Sequence, residues 1–166
     1  NLYPEEITAI IGLDPLVPGY IEKTEEKPSL SPLITVLTRT GLVRNQPDVF
    51  DNNFEAIKKD LLTEKEAEIA RTLFYRRVQT KNMWEEVDMV TANSKTVSEQ
   101  GKPEIPFSAF ISSQNDEEYW QDSINNYVKA TNGESIILDA EHYIHLDYPE
   151  LIAEKSKEII EETIKN

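Results

Sequence analysis

Ser135-Ile-Ile-Leu138, Asp139-Ala-Glu-His-Tyr-Ile-His-Leu-Asp147 and Tyr148-Pro-Glu-Leu-Ile-Ala-Glu154 follow one another as an apolar run, a polar segment and a Pro-led amphipathic segment. A short apolar run with two Ile reads as a strand of a parallel sheet covered on both faces. The polar segment after it carries both histidines of the chain, His142 and His145. Pro149 suits the first turn of a helix. The helix predicted from Pro149 to Lys165 turns Leu151, Ile152, Ile159, Ile160 and Ile164 inward. Strand, polar loop and helix make one βα unit, and the carboxyl end of such a strand is where open α/β sheets hold their ligands.

Working upstream, Asn132-Gly133 is a turn into this strand, and the helix predicted over Asp116 to Thr131 presents Trp120, Ile124, Tyr127 and Val128 on one side. Phe107 to Ser112 reads as a second strand, entered from the breaker-rich Gly101-Lys-Pro-Glu-Ile-Pro106. Thr8 to Leu13 is a third apolar run, closed by Asp14-Pro15. From Pro18 to Gly101 no strand pattern occurs. Helices are predicted around Ser29 to Thr40, near Thr63 to Val78, where Thr63 and Glu66 have capping-box spacing, and near Asn82 to Ser98. The stretch between the first two reads as irregular.

The fold class is therefore α/β, a parallel sheet of three strands with flanking helices and a helical insertion. Residues 1–17 start the core portion, 18–101 form the insertion, and 102–166 complete the core. Three buried parallel strands are few. The expectation is that the sheet continues in sequence upstream of Asn1, and that the bare first strand pairs two copies of the chain into a homodimer when nothing covers it.

At 166 residues and 39% apolar content the chain has one domain's worth of sequence and enough apolar surface for a core. Its 17 Lys and Arg against 31 Asp and Glu give a net charge of −14, which argues against nucleic acid or anionic lipid as a partner. With no Cys, disulfide scaffolds, Cys-ligated zinc, iron–sulfur clusters and thiol nucleophiles are excluded. No apolar run reaches the length of a membrane span, and Asn1 to Glu6 lack the basic and apolar regions of a signal peptide. The compartment expected is the cytoplasm, with any N-terminal signal or anchor lying upstream.

Asp14, Asp116 and His142 stand at or just past the carboxyl ends of the three strands, so each strand offers an ionisable group to one crevice. A His with an orienting carboxylate is two-thirds of a nucleophile–base–acid triad. His142-x-x-His145 beside Asp139, Glu141 and Asp147 is also a spacing metals use, but no helix aligns it. The expectation is no metal and no cofactor.

Two segments resemble a known family. His142-Tyr-Ile-His-Leu-Asp-Tyr-Pro-Glu-Leu-Ile-Ala-Glu154 resembles the catalytic-histidine segment of α/β-hydrolases, and Tyr3-Pro-Glu-Glu-Ile-Thr-Ala-Ile-Ile-Gly-Leu-Asp-Pro15 resembles the segment between their nucleophile helix and strand six. The resemblance covers essentially the whole chain and implies the C-terminal half of that fold, with strands six, seven and eight and a cap inserted after strand six. It implies a serine hydrolase, esterase- or lipase-like, acting on a small or medium acyl ester. His142 would be the general base, and His145 a packing or hydrogen-bonding residue. The acid would be Asp14, in a Gly-Leu-Asp-Pro segment of the kind some lipases use, or Asp116, after strand seven as in most members. Asp14 is favoured because it sits directly at a strand end before Pro15, whereas Asp116 opens an acidic helix start. Tyr75, Met83, Trp84 and Met89 on the insertion helices are the substrate-pocket candidates.

Two departures stand out. Glu141 occupies the place where Gly usually precedes the catalytic His, and no Gly-x-Ser-x-Gly occurs in the 166 residues. The nucleophile and oxyanion hole are thus expected in an N-terminal half, without which the chain is inactive. The competing expectation is a non-catalytic ligand- or protein-binding module on the same fold.

Overall fold

A computed structural model describes residues 3–24, 31–45, 47–115 and 119–165. Its one sheet is parallel and ordered β1-β2-β3, from β1 (Ile10–Leu13), β2 (Phe107–Ser112) and β3 (Ser135–Leu138). Ile10 pairs with Phe107 and Leu13 with Phe110, while Ala109 pairs with Ser135 and Ser112 with Leu138. The first strand starts two residues later than its apolar run. Ile10 N–H donates to Pro106 C=O at 3.2 Å, and Pro106 has no N–H to extend the ladder toward Thr8.

The helices are α1 (Pro18–Thr24), α2 (Pro32–Arg39), α3 (Pro47–Asp51), α4 (Glu55–Lys58), α5 (Glu64–Arg77), α6 (Lys81–Glu99), α7 (Trp120–Lys129) and α8 (Pro149–Lys165), with 3-10 turns at Pro4–Glu6, Leu42–Asn45 and Ile144–Leu146. Helix α1 and the two short helices α3 and α4 were not expected from the pattern. The last two, at five and four residues, are too short for a periodic signal. Residues 29 and 30 of the first predicted helix, and 116–118 of the one before Trp120, lie outside the described residues.

The chain divides into two compact units, Asn1–Glu26 with Thr91–Asn166, and Lys27–Val90. Helix α1 and the C-terminal half of α6 thus belong with the sheet. In the sheet unit, Ala109 and Ile111 of β2 face Trp120, Ile124 and Val128 of α7, with Val17 beside them. The opposite face buries Phe110 and Leu138 against Ala140, Ile144 and Ile152. Both faces of β2 are covered, as its continuous apolar sequence requires.

Helix α8 meets the core through Ile152 and Ile159, seven residues apart on one stripe, with Leu151 half-buried. Ile160 and Ile164 do not face inward as expected. Ile164, 68% exposed, sits about 120° around the helix from Ile152.

Two glycines fix the sheet's ends by space. A Cβ on Gly133 would stand 1.9 Å from Phe107 O, so only Gly lets the turn after α7 lie against the start of β2. A Cβ on Gly12 would stand 2.6 Å from Pro15 Cγ, so Gly12 lets Pro15 fold back over β1.

The helical unit is built on aromatic rings. Phe50 is fully buried, stacked on Phe54 at 5.0 Å and edge-on to Phe74 at 5.4 Å, with the Arg71 guanidinium over its face at 5.2 Å. Thr63 and Glu66 form the capping box at the start of α5. Among the described residues no helix is long and apolar enough to cross a membrane.

Candidate functional site

Asp14 leaves the β1 ladder with its N–H still bonded to Phe110 C=O at 2.8 Å, then takes a left-handed backbone, φ +47°. Asp tolerates this region better than most residues. Pro15 turns back over Gly12 immediately after. The buried Asp14 carboxylate meets four donors near the carboxyl end of β2. Oδ1 accepts from the Ser112 backbone N–H and the Trp120 Nε1–H, both at 2.9 Å. Oδ2 accepts from the Ser112 hydroxyl at 2.8 Å and lies 2.8 Å from His142 Nδ1.

The four donors come from three residues, each on a different element. Ser112 is the last residue of β2 and fully buried. Trp120 opens α7 behind Tyr119, itself left-handed at φ +68°, and packs edge-on against Tyr20 at 4.9 Å. His142 comes from the loop after β3, and the buried Ala140 and Ile144 on either side of it anchor that loop in the core.

The hydrogen bonds dictate the tautomer. A carboxylate that already accepts from three donors is an acceptor for the fourth, so His142 Nδ1 carries a proton, and in the neutral ring the lone pair is on Nε2. The His142 side chain is 54% exposed while that of Asp14 is 0% exposed. The imidazole is bordered by Trp120 at 6.0 Å and Tyr143 at 5.3 Å between ring centroids. A half-exposed imidazole is thus tethered to a buried acid.

Of the other expected residues, Asp116 lies outside the described residues. His145 sits exposed on the 3-10 turn Ile144–Leu146, its ring edge-on to Tyr143 at 6.1 Å. Glu141 is exposed, and Asp139 accepts from the Ser113 hydroxyl and the Gln114 amide. Among the described residues no group of three or more His, Asp or Glu is placed to hold a metal ion. Tyr75, Met83, Trp84 and Met89 all belong to the helical unit. There Tyr75 is buried against Phe74, Met83 and Trp84 are half-buried, and Met89 is exposed. A groove of about 310 Å³ in the sheet unit is lined by Pro18, Val97, Ser98, Asn126 and Tyr127, and neither Asp14 nor His142 lines it.

Ser112 and Trp120 were not singled out from the sequence. Ser112 read as the end of a strand and Trp120 as one member of an apolar helix face, a face it does share with Ile124 and Val128. The available signal was position. Both residues stand where β2 runs out into α7, the strand end next to the Asp14 turn.

Compared with known proteins, the chain matches no family model, no curated protein and no solved structure.

Proposed function

We propose that this chain carries the base and acid of a serine hydrolase of the α/β-hydrolase kind, esterase- or lipase-like, with acyl-ester hydrolysis as its reaction. The observation that carries the reading is the 2.8 Å bond from His142 Nδ1 to the buried Asp14 carboxylate, on a ring whose side chain is about half exposed. His142 Nε2 takes the proton of an attacking serine hydroxyl and returns it to the leaving alkoxide. Asp14 keeps the ring in the tautomer that can do so and offsets the positive charge the ring acquires. The reading requires an attacking serine and oxyanion donors, and the 166 residues contain no Gly-x-Ser-x-Gly elbow to present them. No cofactor takes part in this chemistry.

The second reading is a binding module in which the dyad holds a ligand without turning it over. Hydrolysis of a p-nitrophenyl acyl ester series by the full reading-frame product separates the two. Turnover that falls by roughly 10⁶ on His142→Ala supports the hydrolase. Saturable ester binding without turnover by the folded protein supports the module.

A further inference from the structure

We propose that Trp120 is a positioning residue for His142, acting through Asp14. The proposal rests on the dyad being the general-base pair of the preceding section. A carboxylate can rotate about its Cβ–Cγ bond and present either oxygen. Here Oδ1 is held by two donors that have no other role available. The Ser112 N–H is fixed in the backbone at the end of β2, and the Trp120 indole N–H is a donor only, on a ring that is itself buried. The two remaining bonds, from the Ser112 hydroxyl and from His142, fall to Oδ2. The hydroxyl and the imidazole can both turn about their side-chain torsions, so neither can pin the carboxylate.

The indole also borders the imidazole, edge-on at 6.0 Å and 76°, and is backed by Tyr20 at 4.9 Å. One side chain therefore aims the acid and closes one side of the base. Without the indole N–H, Oδ1 is one donor short in a buried site, and rotation of the carboxylate is no longer opposed from α7. Free neutral histidine in water prefers the proton on Nε2, which is the tautomer useless for accepting the serine proton there. The bond to Asp14 reverses that preference, and Trp120 holds Asp14 in the orientation that makes the bond.

The test is the tautomer of His142, read from ¹⁵N shifts and long-range ¹H–¹⁵N correlations of the full chain at a pH raised until the imidazole signals no longer move. Only two histidines contribute. The unsubstituted chain is expected to show a single Nδ1–H pattern for His142. Trp120→Phe, which keeps a ring and loses the donor, is expected to lose that pattern to an averaged mixture, while Trp84→Phe leaves it intact. An unchanged Nδ1–H pattern in Trp120→Phe overturns the proposal, as does an Nε2–H pattern in the unsubstituted chain. Should Trp120→Phe not fold, exchange of the Trp120 indole proton in the unsubstituted chain decides. Slow exchange that becomes fast in Asp14→Asn supports the bond, and fast exchange in both overturns it. A correct tautomer in a protein that never hydrolyses an ester defeats the hydrolase reading and leaves the role of Trp120 standing.

Discussion

Asp14 joins a fully buried carboxylate, a left-handed backbone and four donors at one position, and none of the three is needed merely to end a strand. A turn-forming Asp bonds the backbone just beyond itself. Asp14 instead reaches Ser112, Trp120 and His142, far away in sequence. Asp14→Ala leaves the Ser112 and Trp120 N–H groups buried and unpaired, and urea unfolding is expected to show a loss of about 2–4 kcal/mol. A midpoint equal to the unsubstituted chain would mean these donors find water or other partners. Asp14 and His142 were legible in the sequence because each stands past an apolar run at a strand's carboxyl end, in segments that resemble those of α/β-hydrolases. Trp120 was not, because an aromatic at helical spacing reads as core, and here it is core and hydrogen-bond donor at once.

Among the elements, β2, β3 and α8 have the boundaries their sequences predict, since continuous apolar runs and a Pro-initiated amphipathic stretch leave few alternatives. What escaped were α1, the short helices α3 and α4, and the outward turn of Ile160 and Ile164, all settled by packing and not by local pattern. Gly133→Ala puts a methyl into the Phe107 backbone, which cannot move without shifting β2, and is expected to cost about 3 kcal/mol. Gly19→Ala, where nothing lies within 4 Å, is expected to be neutral or slightly stabilising in the same thermal-melt series. Comparable losses in both would show that close approach at Gly133 is not the cause.

The cap of α5 adds a pH dependence. Bonds from the Thr63 hydroxyl and the Thr63 backbone N–H hold the Glu66 carboxyl below its ordinary pKa. A depressed carboxyl contributes stability above its unfolded pKa and loses it as pH falls through the folded value. Acid titration of Thr63→Ala against the unsubstituted chain is therefore expected to show a gap that is widest at neutral pH and narrows in the acid range, leaving the part carried by the Thr63 hydroxyl on the Glu66 N–H. A gap of constant size would exclude Glu66 from the cap.

At the scale of the molecule, charge is unevenly shared. Residues 27–90 hold ten of the 17 basic and ten of the 31 acidic residues, so the whole −14 falls on the sheet unit. That unit also has β1 paired on one side only among the described residues, with Leu13 44% exposed at its end. An open strand edge associates, and like charge opposes it. Light scattering is expected to show self-association that grows with salt and falls with Leu13→Lys. A monomer at every salt concentration would remove the edge as an interface.

The most direct test of the dyad's role is fluorophosphonate labelling of the full reading-frame product, unsubstituted and as His142→Ala, Asp14→Asn and Asp116→Asn. Covalent labelling that collapses with His142→Ala and Asp14→Asn and survives Asp116→Asn is the result expected of a serine hydrolase whose base and acid are the pair seen here. A folded protein that takes no label, or one whose labelling is indifferent to His142, would contradict it.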